Sequence, residues 1–324
     1  MKAIVCKALT GPADLVYEDV DDPVARKGQV VVGVKAAGVN FPDILVTEGK
    51  YQFQPPLPFT PGSEIAGVVE AVGEGVEGLA VGDRVCGFHL NGAFAEKIAL
   101  GADQCAKLPD AVPFEVAAGL QMTYGTMIHA LEDRAKLAEG ESVLVLGAAG
   151  GIGTAAVELA RVMGARTIVA AASTPEKVAT AKGLGATDGI VYTEEDLKKR
   201  AKALTGGGAD VVVDPVGGPF AEAALRATGW EGRYLVIGFA AGDIPKIPLN
   251  LVLLKGCQLV GVFWGSFAQR EPARARAQLE RVVGWVADGR LKPAVGHTYP
   301  LAEASRALAD LAARKIHGKA ILLP

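Results

Sequence analysis

The chain has 324 residues, half of them hydrophobic and 21% charged, with a formal net charge of −3. That length allows two domains with substantial cores, and the composition excludes a disordered or low-complexity protein. The slightly acidic balance leaves no electrostatic footprint for nucleic acid or an anionic membrane surface, so neither is expected as a partner.

Taken from the N-terminus, Met1 to Lys7 lacks the long apolar core of a secretion signal. Cys6, Cys86, Cys105 and Cys257 lie far apart and fit no metal or redox spacing. They read as buried free thiols of a reducing, cytoplasmic location. Up to about residue 122, short β runs alternate with glycine and proline: Gln29–Ala37, Ile65–Val72, Asp83–Phe88 and Ala95–Leu100. This is the pattern of a compact, partly open β-barrel.

From residue 123 to 265 the texture changes to alternating strand and helix. Ser142–Gly147 is an apolar strand, and Ile152–Met163 has helical spacing. The longest apolar stretch, Val143–Val157, is glycine-rich and interrupted by Thr154, too short and irregular to span a bilayer. Strands are expected at Thr167–Ala172, Gly189–Tyr192, Ala209–Asp214, Tyr234–Gly238 and Leu259–Phe263. Helices are expected from Pro175 and from Thr193, the latter with Asp196 as capping partner. Six strands with crossover segments describe a doubly wound parallel sheet, an α/β fold. The rest carries helices within Pro272–Asp288 and Ala302–Ala313 and a closing strand, Lys319–Leu323. It is expected to pack on the first region, giving a discontinuous domain of residues 1–122 and 266–324 beside a nucleotide-binding domain of residues 123–265.

The most informative segment is Gly147-Ala148-Ala149-Gly150-Gly151-Ile152-Gly153. A strand, a glycine turn and a helix in succession place backbone N–H groups and a helix N-terminus against a pyrophosphate. Gly150, Gly151 and Ile152 would form the cradle, and Gly153 would let the helix pack on the strand. The first glycine of the usual fingerprint is replaced by Ala148. A site for NAD usually ends its second strand in a carboxylate that bonds the ribose 2′-OH. Here the strand ends Ala171-Ala172-Ser173, and Lys177 follows. A hydroxyl and a cation suit a 2′-phosphate, so NADP(H) is the expected cofactor.

Several further runs complete a pattern: Ala36-Ala37-Gly38-Val39-Asn40-Phe41-Pro42-Asp43, Pro61-Gly62-Ser63-Glu64-Ile65-Ala66-Gly67, Gly82-Asp83-Arg84-Val85, Asp214-Pro215-Val216-Gly217 and the ending Gly318-Lys319-Ala320-Ile321-Leu322-Leu323-Pro324. Together with the glycine turn they make the chain resemble, over essentially its whole length, the zinc-free quinone oxidoreductases (the zeta-crystallin group) of the medium-chain dehydrogenase/reductase superfamily. The resemblance implies a GroES-like, β-barrel-type catalytic domain plus a doubly wound Rossmann domain. Zinc-dependent relatives carry a cysteine where this chain has Asn40, and Gly-His-Glu where it has Gly62-Ser63-Glu64. Their third ligand would fall near Gln121 or Met122. None of these is a thiolate or imidazole ligand, and the cysteine-rich structural lobe is missing. The scattered His89, His129, His297 and His317 rebuild no site.

The resemblance also assigns residues. Asn40 and Thr126 would lie near the nicotinamide and its ribose. Gly238, Phe239 and Phe263 would line the nicotinamide end, and Val216 would sit near the adenosine or ribose. Ser173, Lys177, Tyr192 and Arg314 match positions around the 2′-phosphate. Tyr51 matches a tyrosine at the substrate mouth, in a loop (residues 47–60) that also holds Phe53 and several prolines. Asp43 and Glu64 are read as structural carboxylates, one at a helix start and one in buried hydrogen bonding.

Without a Lewis acid the acceptor must already be electrophilic, and alignment can supply much of the acceleration. The leading expectation is an NADPH:quinone oxidoreductase acting on a small-molecule acceptor. The near alternative is an NADPH-dependent reductase of enones, alkenals or enoyl thioesters. For a thioester the acceptor loop offers only Lys50 to meet the phosphates. An alternative of another class is an NADPH-binding crystallin-like or RNA-binding protein, which the net charge disfavours. A homodimer is expected, paired through the exposed edge of the Leu259–Phe263 strand.

Overall fold

The computed structural model describes residues 1–324. The chain divides into two compact units: the first holds 1–122, 267–289 and 293–324, the second 123–266 and 290–292.

The second unit is built on a six-stranded sheet in the order Asp188–Val191, Thr167–Ala172, Ser142–Leu146, Ala209–Asp214, Thr228–Val236, Gln258–Gly261. Every neighbouring pair is parallel. Such a sheet must be apolar on both faces, and the central strand obeys: Val143, Leu144, Val145 and Leu146 are wholly buried. Counted in chain order, the first strand sits centrally, the next two step off one side and the last three off the other. The order therefore reverses between Ser142–Leu146 and Ala209–Asp214, the kind of point at which α/β sheets bind ligands.

The first unit is built on a seven-stranded, largely antiparallel sheet. Its longest strand, Gln29–Val39, pairs with Glu64–Val72, Lys97–Gly101 and the closing strand Lys319–Leu323. Register shifts at Val31/Val32 and Val34/Ala36 mark the irregular points of its pairing with Glu64–Val72. Phe94, Leu100, Val30 and Ile65 fill the core beneath it, together with Leu308 from the helix Ala304–Ala312.

Some elements differ from the sequence expectations. The helix expected from Thr193 begins at Leu197, with Asp196 as its N-cap accepting the Lys199 N–H. Thr193 instead donates its hydroxyl to the Ser173 carbonyl. The strand expected at Tyr234–Gly238 runs from Thr228 to Val236. Its pairing jumps from Ala209↔Thr228 to Val211↔Arg233, so Gly229–Gly232 loops out with Glu231 at φ 57°. Two glycines there masked the strand's beginning. The last strand ends at Gly261, leaving Phe263 outside it. An unexpected helix, Trp264–Arg270, follows. It is anchored by the Trp264 ring, so close to Gly125 that a Cβ there would come within 3.1 Å.

Candidate active site

The sheet reversal of the second unit carries the glycine turn. Gly147 adopts φ +59°, and a Cβ there would meet Val216 at 2.9 Å. The helix Gly151–Val162 then starts at Gly150, with no side-chain cap and no acidic residue in its first turn. Its first internal bond runs from the Thr154 N–H to the Gly150 carbonyl at 2.8 Å. The N–H groups of Gly151, Ile152 and Gly153 thus have no helical acceptor, as at any helix start. Gly153 is required by packing, since a Cβ would fall 2.2 Å from the Gly147 carbonyl oxygen. Gly150 is different: a Cβ there would meet no atom closer than 3.4 Å. The space beside it is open at the positive end of the helix, where an anion is favoured.

Opposite the reversal, Asp214 ends its strand as a buried acceptor. It takes the N–H groups of Val216 and Gly217, each at 2.8 Å, and the Tyr234 hydroxyl. Burial, reinforced by Asp214, holds the Tyr234 phenol far above its ordinary pKa, so it remains a donor. These bonds fix Val216 beside the glycine turn. Gly217, at φ +64°, lies against Phe239, whose ring a Cβ would meet at 2.9 Å.

At the end of the second strand, Lys177 reaches back to the Ser173 hydroxyl at 3.3 Å, while its backbone N–H caps on Thr174. Both residues are partly exposed, and Tyr192 in the neighbouring segment packs at 4.2 Å, tilted, against the Phe220 ring. Among the sequence-predicted residues of this unit, the structure therefore groups Gly150, Gly151, Ile152 and Val216 at the turn, and Ser173 with Lys177. Phe239 lies against Gly217, next to Val216, and Gly238 precedes it. Thr126 is buried on a short helix and Phe263 is exposed beyond the last strand.

On the first unit stand Asn40, Tyr51 and Arg314, the last exposed and at φ 57°. Asn40 is buried at the start of the helix Phe41–Thr47. Its backbone N–H donates to Asp43 Oδ2 at 2.7 Å. Its side-chain Nδ2 donates to Glu64 Oε1 at 2.8 Å, and its Oδ1 accepts from Lys319 Nζ at 2.5 Å. Lys319 also donates to Glu64 Oε1, and the Met122 N–H donates to Glu64 Oε2. Lys319 is a functional candidate absent from the residues singled out in the sequence, while Asp43 stands buried at the helix start. One signal was available for Lys319: an ionisable residue opening an otherwise apolar strand must find a partner if buried. Burial, with Glu64 adding to it, pushes the Asp43 carboxyl up to about 7, against the pull of the Asn40 N–H and Lys319. Tyr51 packs on Cys6, Val46 and Phe59, and burial, then Asp43, raises its phenol. A zinc ion does not fit here. The donors are an amide and one carboxylate, with the Ser63 hydroxyl and Gln121 amide nearby in sequence, and an ammonium already takes the Asn40 and Glu64 oxygens.

Two family models match parts of the chain. The family model of the alcohol dehydrogenase GroES-like domain matches residues 26–110, and that of zinc-binding dehydrogenases matches residues 151–281. The chain is similar to the quinone oxidoreductase-like protein 2 homolog of Nematostella vectensis, with 39% identity over 99% of this chain and 88% of the relative. It is similar in structure to a probable oxidoreductase from Mycobacterium abscessus, with 40% identity, TM-score 0.90 and coverage of 100% and 99%. The Escherichia coli quinone oxidoreductase complexed with NADPH gives 30% identity, TM-score 0.92 and full coverage of both chains.

The Asp43 titration yields a stability prediction. A carboxyl raised from 3.8 to about 7 in the folded chain contributes stability that is complete below pH 3.8 and lost as pH rises through about 7. Asp43→Asn keeps an acceptor for the Asn40 N–H but does not titrate. Its melting temperature relative to the parent should therefore climb across that window and level off above it. A difference independent of pH contradicts the assignment.

Proposed function

The chain belongs to the medium-chain dehydrogenase/reductase superfamily, in its quinone oxidoreductase-like family, and from that premise we propose that it is an NADPH-dependent reductase of quinones. The observation that carries the cofactor reading is the pairing of Lys177 with Ser173, at the end of a second strand that has no carboxylate. Gly150, Gly151 and Ile152 hold the pyrophosphate, drawn by the open N–H groups of the helix start. Ser173 and Lys177, flanked by Tyr192, hold the 2′-phosphate through a hydroxyl and a charge-assisted bond. Val216, fixed by Asp214, and Phe239 beside Gly217 supply apolar walls.

When bound, NADPH supplies a hydride; the chain's own residues position and protect. No metal is part of this reading, because the Asn40–Glu64–Lys319 cluster is internally satisfied. The acceptor must carry its own electrophilic carbon, which a quinone or enone does. Tyr51 remains protonated at neutral pH and offers its O–H to the acceptor oxygen. Quinones are preferred to enoyl thioesters because residues 47–60 offer only Lys50 to a phosphate-bearing carrier.

We also propose a homodimer through the second unit. The Gln258–Gly261 strand lies at the sheet edge, with Phe263 and Leu259 exposed beside it. Leu249, Leu253 and Leu254 of the preceding helix are 75%, 79% and 71% exposed. A second copy covers both the edge and these leucines. No helix is long and apolar enough to cross a membrane. The four buried free thiols suit a reducing, cytoplasmic setting.

Three results test these readings. Lys177→Ala should raise the KM for NADPH by about tenfold or more and leave that for NADH nearly unchanged, the scale of a charge-assisted bond; equal use of both cofactors by the parent overturns the cofactor reading. Quinone reduction should survive exhaustive chelation, whereas one tightly held zinc per chain whose removal abolishes activity overturns the metal-free reading. Light scattering should give a dimer mass that falls to a monomer in Leu253→Glu/Leu254→Glu, and a monomeric parent at micromolar concentration contradicts the assembly.

A further inference from the structure

Lys319 opens the closing strand of the first unit, and its side chain is only 9% exposed. Its stem runs so close to Gly119 that a Cβ there would fall 2.9 Å from Lys319 Cγ. A buried ammonium is costly unless its donors find acceptors, and two of its three do: Asn40 Oδ1 and Glu64 Oε1. An ammonium can only donate and a carboxylate can only accept. The orientation of the Asn40 amide is therefore dictated, with Oδ1 toward Lys319 and Nδ2 toward Glu64 and the Gly38 carbonyl. Both ends of that amide are engaged inside the protein.

What the fixed Asn40 holds is a piece of backbone. It starts the helix Phe41–Thr47, exchanging bonds with Asp43 in both directions. That helix runs directly into the segment bearing Tyr51. The Lys50 N–H returns to the Leu45 carbonyl, and Gln54 Nε2 returns to that of Val46. Tyr51 itself rests on Val46, Cys6 and Phe59. A continuous series of bonds and packed contacts thus leads from Lys319 to the Tyr51 loop.

We propose that Lys319 is a positioning residue for the acceptor: through Asn40 and the helix that Asn40 starts, it sets the loop carrying Tyr51. The inference rests on the reading of Tyr51 as an acceptor-facing residue. A purely structural Lys319 would act otherwise. Its loss would lower the folded fraction, and with it the maximal rate, while leaving the KM of the surviving molecules unchanged. A positioning Lys319 acts on the acceptor KM and leaves untouched the phosphate contacts assigned to the glycine turn and the Ser173–Lys177 pair, which lie on the other unit and anchor the dinucleotide whatever Asn40 does at its nicotinamide end.

The experiment uses the full-length chain with whichever of 1,4-benzoquinone and 2-cyclohexenone the parent reduces, alongside NADPH titration by fluorescence. Lys319→Met should raise the acceptor KM about tenfold or more and leave the NADPH dissociation constant within about twofold. Because that change strands the Glu64 carboxylate, Lys319→Met/Glu64→Gln serves as the second variant. Removing the uncompensated charge should restore the parent's melting temperature, yet the acceptor KM should stay high, since Asn40 is free to turn its amide over. An unchanged acceptor KM in either folded variant, with only the maximal rate or melting temperature reduced, overturns the inference and leaves the functional reading intact. A parent that binds NADPH but reduces neither acceptor overturns the acceptor reading and the inference with it. A parent that binds no NADPH overturns the functional reading at its root.

Discussion

A helix that begins without a cap leaves backbone N–H groups that must be satisfied from outside the helix. In this chain that condition falls on Gly151, Ile152 and Gly153, at the reversal of strand order in the second unit. Much of what surrounds the turn serves to keep it in place. Gly153 is bare so that the helix can lie on the Gly147–Ala148 backbone, and at Gly150 the space beside the backbone is open. Asp214, with three donors converging on it, holds the facing loop at Val216. Such a place favours an anion, and on the proposed reading the Ser173–Lys177 pair extends the same preference to a second phosphate.

The first unit solves a different problem. Two carboxylates, Asp43 and Glu64, are buried within it, along with one ammonium. Glu64 is held by Lys319, Asn40 and a backbone N–H, whereas Asp43 has its Asn40 N–H bond and is pushed toward the neutral form by burial. A buried cluster of this kind is poorly suited to free ligand binding, because its members are committed to one another. It is well suited to fixing the direction of a side chain or the start of a helix. On the proposed reading the phenol of Tyr51 serves an acceptor whose reactivity is intrinsic, and the protein contributes alignment and a hydrogen bond in place of a metal.

The fold was legible where apolar period and turn chemistry agreed. The strands Thr167–Ala172, Ala209–Asp214 and Lys319–Leu323 carry bounds that follow from their apolar runs. Elements were obscured where glycine interrupts a strand, as at Gly229 and Gly232, or where anchoring is tertiary, as with Trp264 against Gly125. The glycine turn and the Ser173–Lys177 pair could be read because their residues are near neighbours in sequence. The Lys319–Asn40–Glu64 cluster could not be assembled in the same way. Its members are separated by up to 279 positions, and only the pairing of Lys319–Leu323 and Glu64–Val72 with the same long strand brings them together. Resemblance gives Asn40 a role toward a ligand, and the geometry adds that its amide is bonded to Glu64 and Lys319.

On the proposed reading the glycine turn and the Ser173–Lys177 pair together recognise one ligand, a dinucleotide carrying a 2′-phosphate. Calorimetric titration of the parent chain with NADPH and with NADH at fixed ionic strength tests it most directly. NADPH should bind more tightly than NADH by about tenfold or more, the worth of a charge-assisted phosphate contact, with 2′,5′-ADP competing and 5′-AMP competing poorly. Equal dissociation constants for the two dinucleotides, or no binding of either, would contradict it.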